Sequence, residues 1–271
     1  MTIARVLTIA GSDSGGGAGI QGDIKTITAL GGYAASAITA LTAQNTLGVF
    51  GIHDVPDDFI EQQIRLVLDD IGADAIKTGM LHKKSVIQTI AAVLQDYPHI
   101  PLIVDPVMLA KGGASLLEEE AIEILINRLI GKAKIITPNI PEAEFLLKNI
   151  GSERKIVDLQ DMQYAGEKLM SLGSEAVLLK GGHLQGEQLI DYLIYKTPSG
   201  DLAEQIFSSQ RIDTIHTHGT GCTLASAIAT FIAKGINLND AVANSRDYVN
   251  KAIMTAPMLG KGCGPLNHLI K

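Results

Sequence analysis

The chain contains no tryptophan, and aromatic residues make up only 4% of its 271 positions. Proteins that hold single-stranded nucleic acid stack bases on aromatic side chains, so this scarcity argues against such a platform. Positive charge is also short: 22 Lys and Arg stand against 29 Asp and Glu, a formal net charge of −7. Binding a phosphate backbone needs a basic face, which sets DNA and RNA aside as partners. Cysteine occurs only at positions 222 and 263. Two cysteines build no disulfide framework, and without a Cys-x-x-Cys there is no structural zinc pattern. No apolar run is long enough to span a bilayer. The stretch Cys222 to Ala233 suits a buried helix, and the run Val6 to Ala10 is too short for a secretory signal. The expectation is a cytoplasmic chain that engages neither membrane nor nucleic acid.

What is present is ordinary globular composition, 46% hydrophobic and 19% charged, with 28 glycines. Short β-branched runs alternate with longer helical patterns. Strands are predicted at 3–10, 33–42, 49–53, 73–77, 102–105, 134–137 and 176–180. Helices are predicted at 19–30, 56–70, 84–94, 117–130, 141–147, 158–172, 221–234 and 238–256. Residues 188–195 and 202–207, joined through Pro198-Ser199-Gly200, read as a hairpin. Repeated βα units imply a parallel sheet covered on both faces, and the hairpin implies an antiparallel edge. With no linker, low-complexity tract or repeat, residues 1–271 read as one α/β domain.

In such a sheet, ligands bind beyond the carboxyl ends of the strands. Those ends carry Gly11-Ser12-Asp13, Gln44-Asn45, Lys77-Thr78-Gly79, Asp105-Pro106, Thr137-Pro138-Asn139 and Lys180-Gly181-Gly182. Gly17 to Gly22 fits G-x-G-x-x-G, but no acid lies between Asp23 and Asp54 to take a ribose hydroxyl, so a dinucleotide site is not supported. Gly-Lys-Ser and Gly-Lys-Thr are both absent, which excludes a Walker P-loop. A stronger pattern is Thr217-His218-Gly219-Thr220-Gly221-Cys222-Thr223 ahead of an apolar helix. Successive backbone N–H groups at a helix start converge on one point, where the dipole favours an anion or developing negative charge. Lys180 ends an apolar strand and suits a phosphate. Asp105 and Glu142 offer carboxylates that would accompany Mg²⁺ beside phosphates. Glu142 also suits the helix start behind Pro141, where a negative charge opposes the dipole in its own right.

These motifs together resemble the ribokinase superfamily and, within it, the hydroxymethylpyrimidine/phosphomethylpyrimidine kinases of thiamine biosynthesis. The matching segments run from Leu7 to His268: Thr8 to Gln21, Thr42 to Thr46, Lys77 to Leu81, Val104 to Met108, Thr137 to Glu144, Lys180 to His183 and Thr217 to Thr223. The resemblance implies a ribokinase-like three-layer α/β/α sandwich with a mostly parallel sheet and no separate lid domain, usually dimeric. It implies MgATP-dependent phosphorylation of an aminopyrimidine alcohol and then of its monophosphate. It places Gln44, Asp23 and Met80 around the pyrimidine, with Val107 and Ala18 close by. Asn139 and Glu142 fall in its Mg–phosphate motif beside Asp105, Lys180 faces the nucleotide phosphates, and Thr217 with Gly219, Thr220, Gly221 and Cys222 makes the nucleotide and anion site. Sugar kinases of this superfamily carry Asp as the base where this chain has Cys222; related vitamin kinases carry Cys. A helix N-terminus lowers a thiol pKa, so Cys222 is expected near 7 or below as the base. A homodimer is expected. A pyridoxal kinase of the same fold is the alternative, and a non-catalytic pyrimidine-binding regulator a third reading. The tail holding Cys263 and His268 is expected only to pack.

Overall fold

The computed structural model describes residues 3–108 and 116–270. Among these residues, nine strands form one sheet: β1 (Arg5–Asp13), β2 (Tyr33–Asn45), β3 (Gly48–Asp54), β4 (Ala75–Thr78), β5 (Leu102–Val104), β6 (Ile135–Ile136), β7 (Ala176–Lys180), β8 (Gln188–Lys196) and β9 (Leu202–Gln210). Their order is β3-β2-β1-β4-β5-β6-β7-β8-β9. From β2 to β7 every pairing is parallel, while β3, β8 and β9 pair antiparallel. The sheet therefore has antiparallel pairing at both edges, where the sequence pattern signals it at one. The other arises because β2 runs on past Thr42 to Asn45 and folds back through the two-residue turn Thr46-Leu47.

Among the described residues, eight α-helices cover the two faces. On one side lie α2 (Asp57–Asp70), α3 (Lys84–Leu94), α4 (Ile122–Arg128), α5 (Ile140–Asn149) and α6 (Leu159–Met170); on the other lie α1 (Gly19–Ala29), α7 (Thr220–Ala233) and α8 (Leu238–Met254). Strand residues alternate between two cores, as a period of two requires. Leu7, Ile9, Val177, Leu179 and Tyr192 pack toward the α2–α6 side, while Val6, Ala176, Leu178 and Leu193 pack toward α7 and α8. The helix expected over 117–130 is shorter, because a 3-10 turn at Glu119–Ala121 precedes α4. Among the described residues, no helix is long and apolar enough to cross a membrane.

Candidate active site

The carboxyl end of β1 is built around one side chain. Asp13 is buried, and its carboxylate accepts the backbone N–H of Gly15 at 2.8 Å, Gly17 at 3.1 Å and Ala18 at 2.8 Å. It also faces Nε2 of His218 at 2.8 Å. Burial alone would raise the Asp13 pKa, but His218 and the Ala18 and Gly15 amides outweigh it, and the net shift is downward. The glycines let this loop reach the second Gly-rich segment. Gly219 has φ +85°, and a Cβ there would lie 1.8 Å from the Gly17 carbonyl oxygen. A side chain at Gly17 would in turn come within 2.5 Å of the His218 ring.

Gly219 caps α7, so the N–H groups of Thr220, Gly221 and Cys222 open the helix. Thr220 Oγ1 donates to the Thr217 carbonyl at 2.7 Å and holds the turn. This helix end abuts the charge set of the middle strands: a Cβ on Gly221 would lie 3.1 Å from Lys180 Nζ and 3.8 Å from Asp105 Oδ2. Lys180, at the end of β7, donates to Asp105 Oδ1 at 3.0 Å and lies 4.0 Å from Glu142 Oε2. Thr137 Oγ1 donates to the same Asp105 oxygen at 3.0 Å. Burial opposes the Lys180 ammonium, yet Asp105 and Glu142 overcome it and its pKa is raised.

Asn139 and Glu142 form a reciprocal capping box on α5. Asn139 Oδ1 accepts the Glu142 N–H at 2.9 Å, and Glu142 Oε2 accepts the Asn139 N–H at 2.8 Å. Burial, helped by the Asp105 charge, pushes the Glu142 carboxyl up to about 7 against the pull of Lys180. Among the described residues no three His, Cys, Asp or Glu side chains gather as a metal cage. Asp105 and Glu142 suit a hard cation that takes its remaining oxygens from phosphate and water.

The apolar half lies between β1, β2 and β4. Met80 packs with Ala40 and Leu116, and Val107 and Ile52 pack against that cluster. Gln44, half-buried at the end of β2, is pinned by Ser14, whose Oγ donates to the Gln44 carbonyl and accepts the Gln44 N–H, both at 2.8 Å. Ala18 is the half-buried residue before α1.

Two expectations need correction. Asp23 does not line the pocket. Its carboxylate has no exposed surface and is saturated by Lys77 Nζ at 2.8 and 2.9 Å, Thr8 Oγ1 at 2.5 Å and Ser226 Oγ at 2.7 Å. It is a strut beneath the site that ties α1 to β4 and α7. The Cys222 thiol is not lowered. Burial pushes it up to about 11, with Asp23 and Asp105 adding to the rise, and neither Lys77 nor the Gly19 N–H compensates. The helix start is present, but the cost of desolvating a thiolate sets the direction of the shift.

Asp13, His218 and Lys77 stand in the strand-end and Gly-rich segments named above, but sequence reasoning assigned them no role: Asp13 and His218 join the two Gly-rich segments, and Lys77 pairs with Asp23. The signal for the first pair was available: both stand beside glycine runs at segment ends. The tail near Cys263 packs, as expected: Cys263 N–H donates to the Thr46 carbonyl at 2.9 Å, and the His218 N–H to the Gly264 carbonyl at 3.0 Å. His268 is held by burial at about 4, so it is neutral, and it lies 3.1 Å from Thr223 Oγ1.

A helix-start anion hole, a lysine and two carboxylates at the carboxyl ends of a mostly parallel sheet define a ribokinase-like phosphotransferase. The phosphomethylpyrimidine kinase family model matches residues 13–267. The chain belongs to that family. It is 45% identical to a hydroxymethylpyrimidine/phosphomethylpyrimidine kinase of Bacillus subtilis over 99% of this chain and 96% of the relative. It is 49% identical to the thiamine biosynthesis bifunctional protein ThiED of Geobacter sulfurreducens over 98% of this chain, and it spans 52% of that relative's length. Its fold matches an ADP complex of Bacillus subtilis pyridoxal kinase with TM-score 0.87 and 32% identity, covering 98% of both chains.

Proposed function

We propose that this chain phosphorylates 4-amino-5-hydroxymethyl-2-methylpyrimidine with MgATP, and then phosphorylates the monophosphate to the diphosphate, as a step of thiamine biosynthesis. The observation that carries this reading is the meeting of two half-sites. The start of α7 lies against Lys180, Met80 and Val107 share one apolar cluster, and Gln44 reaches His218, next to that helix start, at 3.3 Å; these support a phosphate side and a pyrimidine side. Gln44 can meet an aminopyrimidine edge with one donor and one acceptor, and Met80 gives a pliable wall for the ring.

In the transfer, the substrate hydroxyl oxygen bonds to the γ-phosphorus while the bond from that phosphorus to the β–γ bridging oxygen breaks. Cys222 first loses its own proton to solvent; the hydroxyl proton then passes to the Cys222 thiolate and later to solvent, and ADP leaves. Lys180 and the Gly219–Cys222 amides meet the charge that spreads over the phosphoryl oxygens. Asp105 and Glu142 would hold Mg²⁺, which neutralises phosphate charge. Asn139 and Thr217 shape the nucleotide side. With the thiol near 11 in the ligand-free chain, the anion hole is standing before substrate arrives, whereas the base must be generated.

A C₂ homodimer in the cytoplasm, formed by a single kinase domain, completes the proposal. The near-complete overlap with a pyridoxal kinase favours pyridoxal as a second substrate to test. The test is a coupled ADP-release assay on the hydroxymethylpyrimidine, its monophosphate and pyridoxal. Turnover on both pyrimidines well above pyridoxal is expected. ADP release with pyridoxal alone would replace this reading by the pyridoxal one, and release with none of the three would leave a binding protein.

A further inference from the structure

The hydrogen bonds around Gln44 contain a conflict that proton counting resolves. The Gln44 amide sits between two neighbours: Oε1 lies 3.1 Å from Thr42 Oγ1, and Nε2 lies 3.3 Å from His218 Nε2. Thr42 has one proton, and its Oγ1 also points at the Ser12 carbonyl at 2.9 Å. The Ser12 carbonyl only accepts and is the nearer of the two, so that proton goes to Ser12 and none is left for Oε1. Asp13 is an anion here, with its pKa lowered, and it lies 2.8 Å from His218 Nε2. That nitrogen must therefore carry a proton, whether the ring is neutral or charged. An amide NH₂ aimed at the same nitrogen sets donor against donor, and an amide oxygen aimed at Thr42 sets acceptor against acceptor.

Turning the amide end for end satisfies every group. Oε1 then accepts from His218 Nε2–H, shared with Asp13, and the NH₂ donates to Thr42 Oγ1. We propose that His218, held by Asp13, is a positioning residue that fixes the orientation of the Gln44 amide and thereby decides which donor–acceptor edge the pocket shows its ligand. The remaining lone pair and N–H of Gln44 stand in a set order. The opposite order would put donor against donor on an aminopyrimidine edge, and unpaired polar groups at a buried contact discriminate strongly. The ring has little freedom of its own: Gly17 packs against it, and its backbone N–H is bound to the Gly264 carbonyl.

This inference rests on the proposed pyrimidine pocket for its kinetic consequence, but not for its geometry, so two readouts are used. In steady-state kinetics with the hydroxymethylpyrimidine, His218→Leu is expected to raise KM by about 10- to 100-fold with kcat within about 3-fold. His218→Gln, which returns an N–H donor to the same place, is expected to recover most of that KM. Gly17→Ala, whose Cβ displaces the ring without removing it, is expected to raise KM as His218→Leu does, and it serves as the probe if His218→Leu does not fold. An unchanged KM in His218→Leu overturns the proposal, as does an equal fall of kcat in His218→Leu and His218→Gln. The second readout is ligand-free: the side-chain amide resonances of Gln44 in a ¹⁵N-labelled chain, identified by their loss in Gln44→Leu. They should move in His218→Leu and return in His218→Gln; resonances that stay put in both overturn the proposal. A wild-type chain that turns over no pyrimidine defeats the proposed substrate and leaves the amide assignment to the resonances.

Discussion

Two lysine–aspartate pairs lie near the start of α7, and they differ in almost everything but chemistry. Lys77 and Asp23 are 2.8 Å apart with no exposed surface on either side chain. Lys180 and Asp105 are 3.0 Å apart, with 14% and 2% of their surfaces exposed. The first pair is closed: Thr8 and Ser226 occupy the remaining lone pairs of Asp23. The second has a surplus, since Glu142 adds a second carboxylate within 4.0 Å of a single ammonium. Excess negative charge beside a reachable cation calls for a further positive partner, and a saturated buried pair calls for none. Residue type and strand position do not separate a strut from a working group; completeness of hydrogen bonding and access to solvent do.

The sharpest way to break the comparison is to remove each lysine. Lys77→Met leaves Asp23 charged and unpaired in the interior, which costs about 3–5 kcal/mol of stability. A large fall in urea midpoint is expected, and an unchanged midpoint would contradict the strut. The Lys77 pKa is raised because Asp23 outweighs the burial that opposes it. A raised folded-state pKa contributes stability that is present below the ordinary value of 10.5 and lost as pH climbs through the folded value. The pair therefore holds through neutral pH and weakens only in strong base.

Cys222→Ala keeps the backbone N–H and removes the sulfur, and is expected to lower kcat by about two to four decades. Because the thiol lies near 11, the thiolate fraction grows about tenfold per pH unit above neutrality. kcat/KM should rise with pH between 7 and 10 in the wild type and lose that slope in Cys222→Ala. A flat wild-type profile would assign the work to the amides alone. Iodoacetamide alkylation of Cys222, measured in a Cys263→Ala background, should accelerate over the same range and slow when pyrimidine is added.

Lys180→Ala is expected to fold and to lose about two to three decades in kcat, with a smaller change in KM, since charge on the transferring group grows in the transition state. A chain that instead melts as Lys77→Met does would erase the distinction between the pairs. Gln44→Leu should raise KM for the pyrimidine by about one to two decades, and an unaltered KM would remove Gln44 from the pocket. The smallest effect belongs to Glu142→Gln. It keeps the capping geometry with a neutral side chain, so a few-fold weaker Mg²⁺ activation is expected; a wild-type Mg²⁺ response would leave Glu142 as a helix-end charge.

Much of the fold was legible because its strands are short and buried on both faces. β7 was readable as Ala176–Lys180 and α3 as Lys84–Leu94, an apolar run stopped by glycines and a strong helical stripe. Asp105, Asn139 and Lys180 were readable as site candidates because each follows or closes a strand, and strand ends are where parallel sheets bind ligands. Asp23 was not readable correctly, since nothing in its own neighbourhood announces that Lys77, 54 residues on, arrives from below. All four residues of β4 are buried, so its lysine had to find a partner inside. The thiol shift was hidden for a related reason: a helix start is visible in a string of letters, whereas the depth of the surrounding protein is not.

The same stitching sets a timetable. Asp23 reaches Ser226 across 203 residues, and Asp13 reaches His218 across 205. Contacts so far apart in sequence form only after a large loop closes, which slows their appearance relative to local helices and adjacent strands. During refolding from urea, far-ultraviolet ellipticity should recover first and turnover last, with the delay in turnover set by the arrival of α7 on the β1 end. The half-sites would then be synchronised by construction: no intermediate lacking α7 has the anion hole, so a chain caught partway has no means of spending ATP.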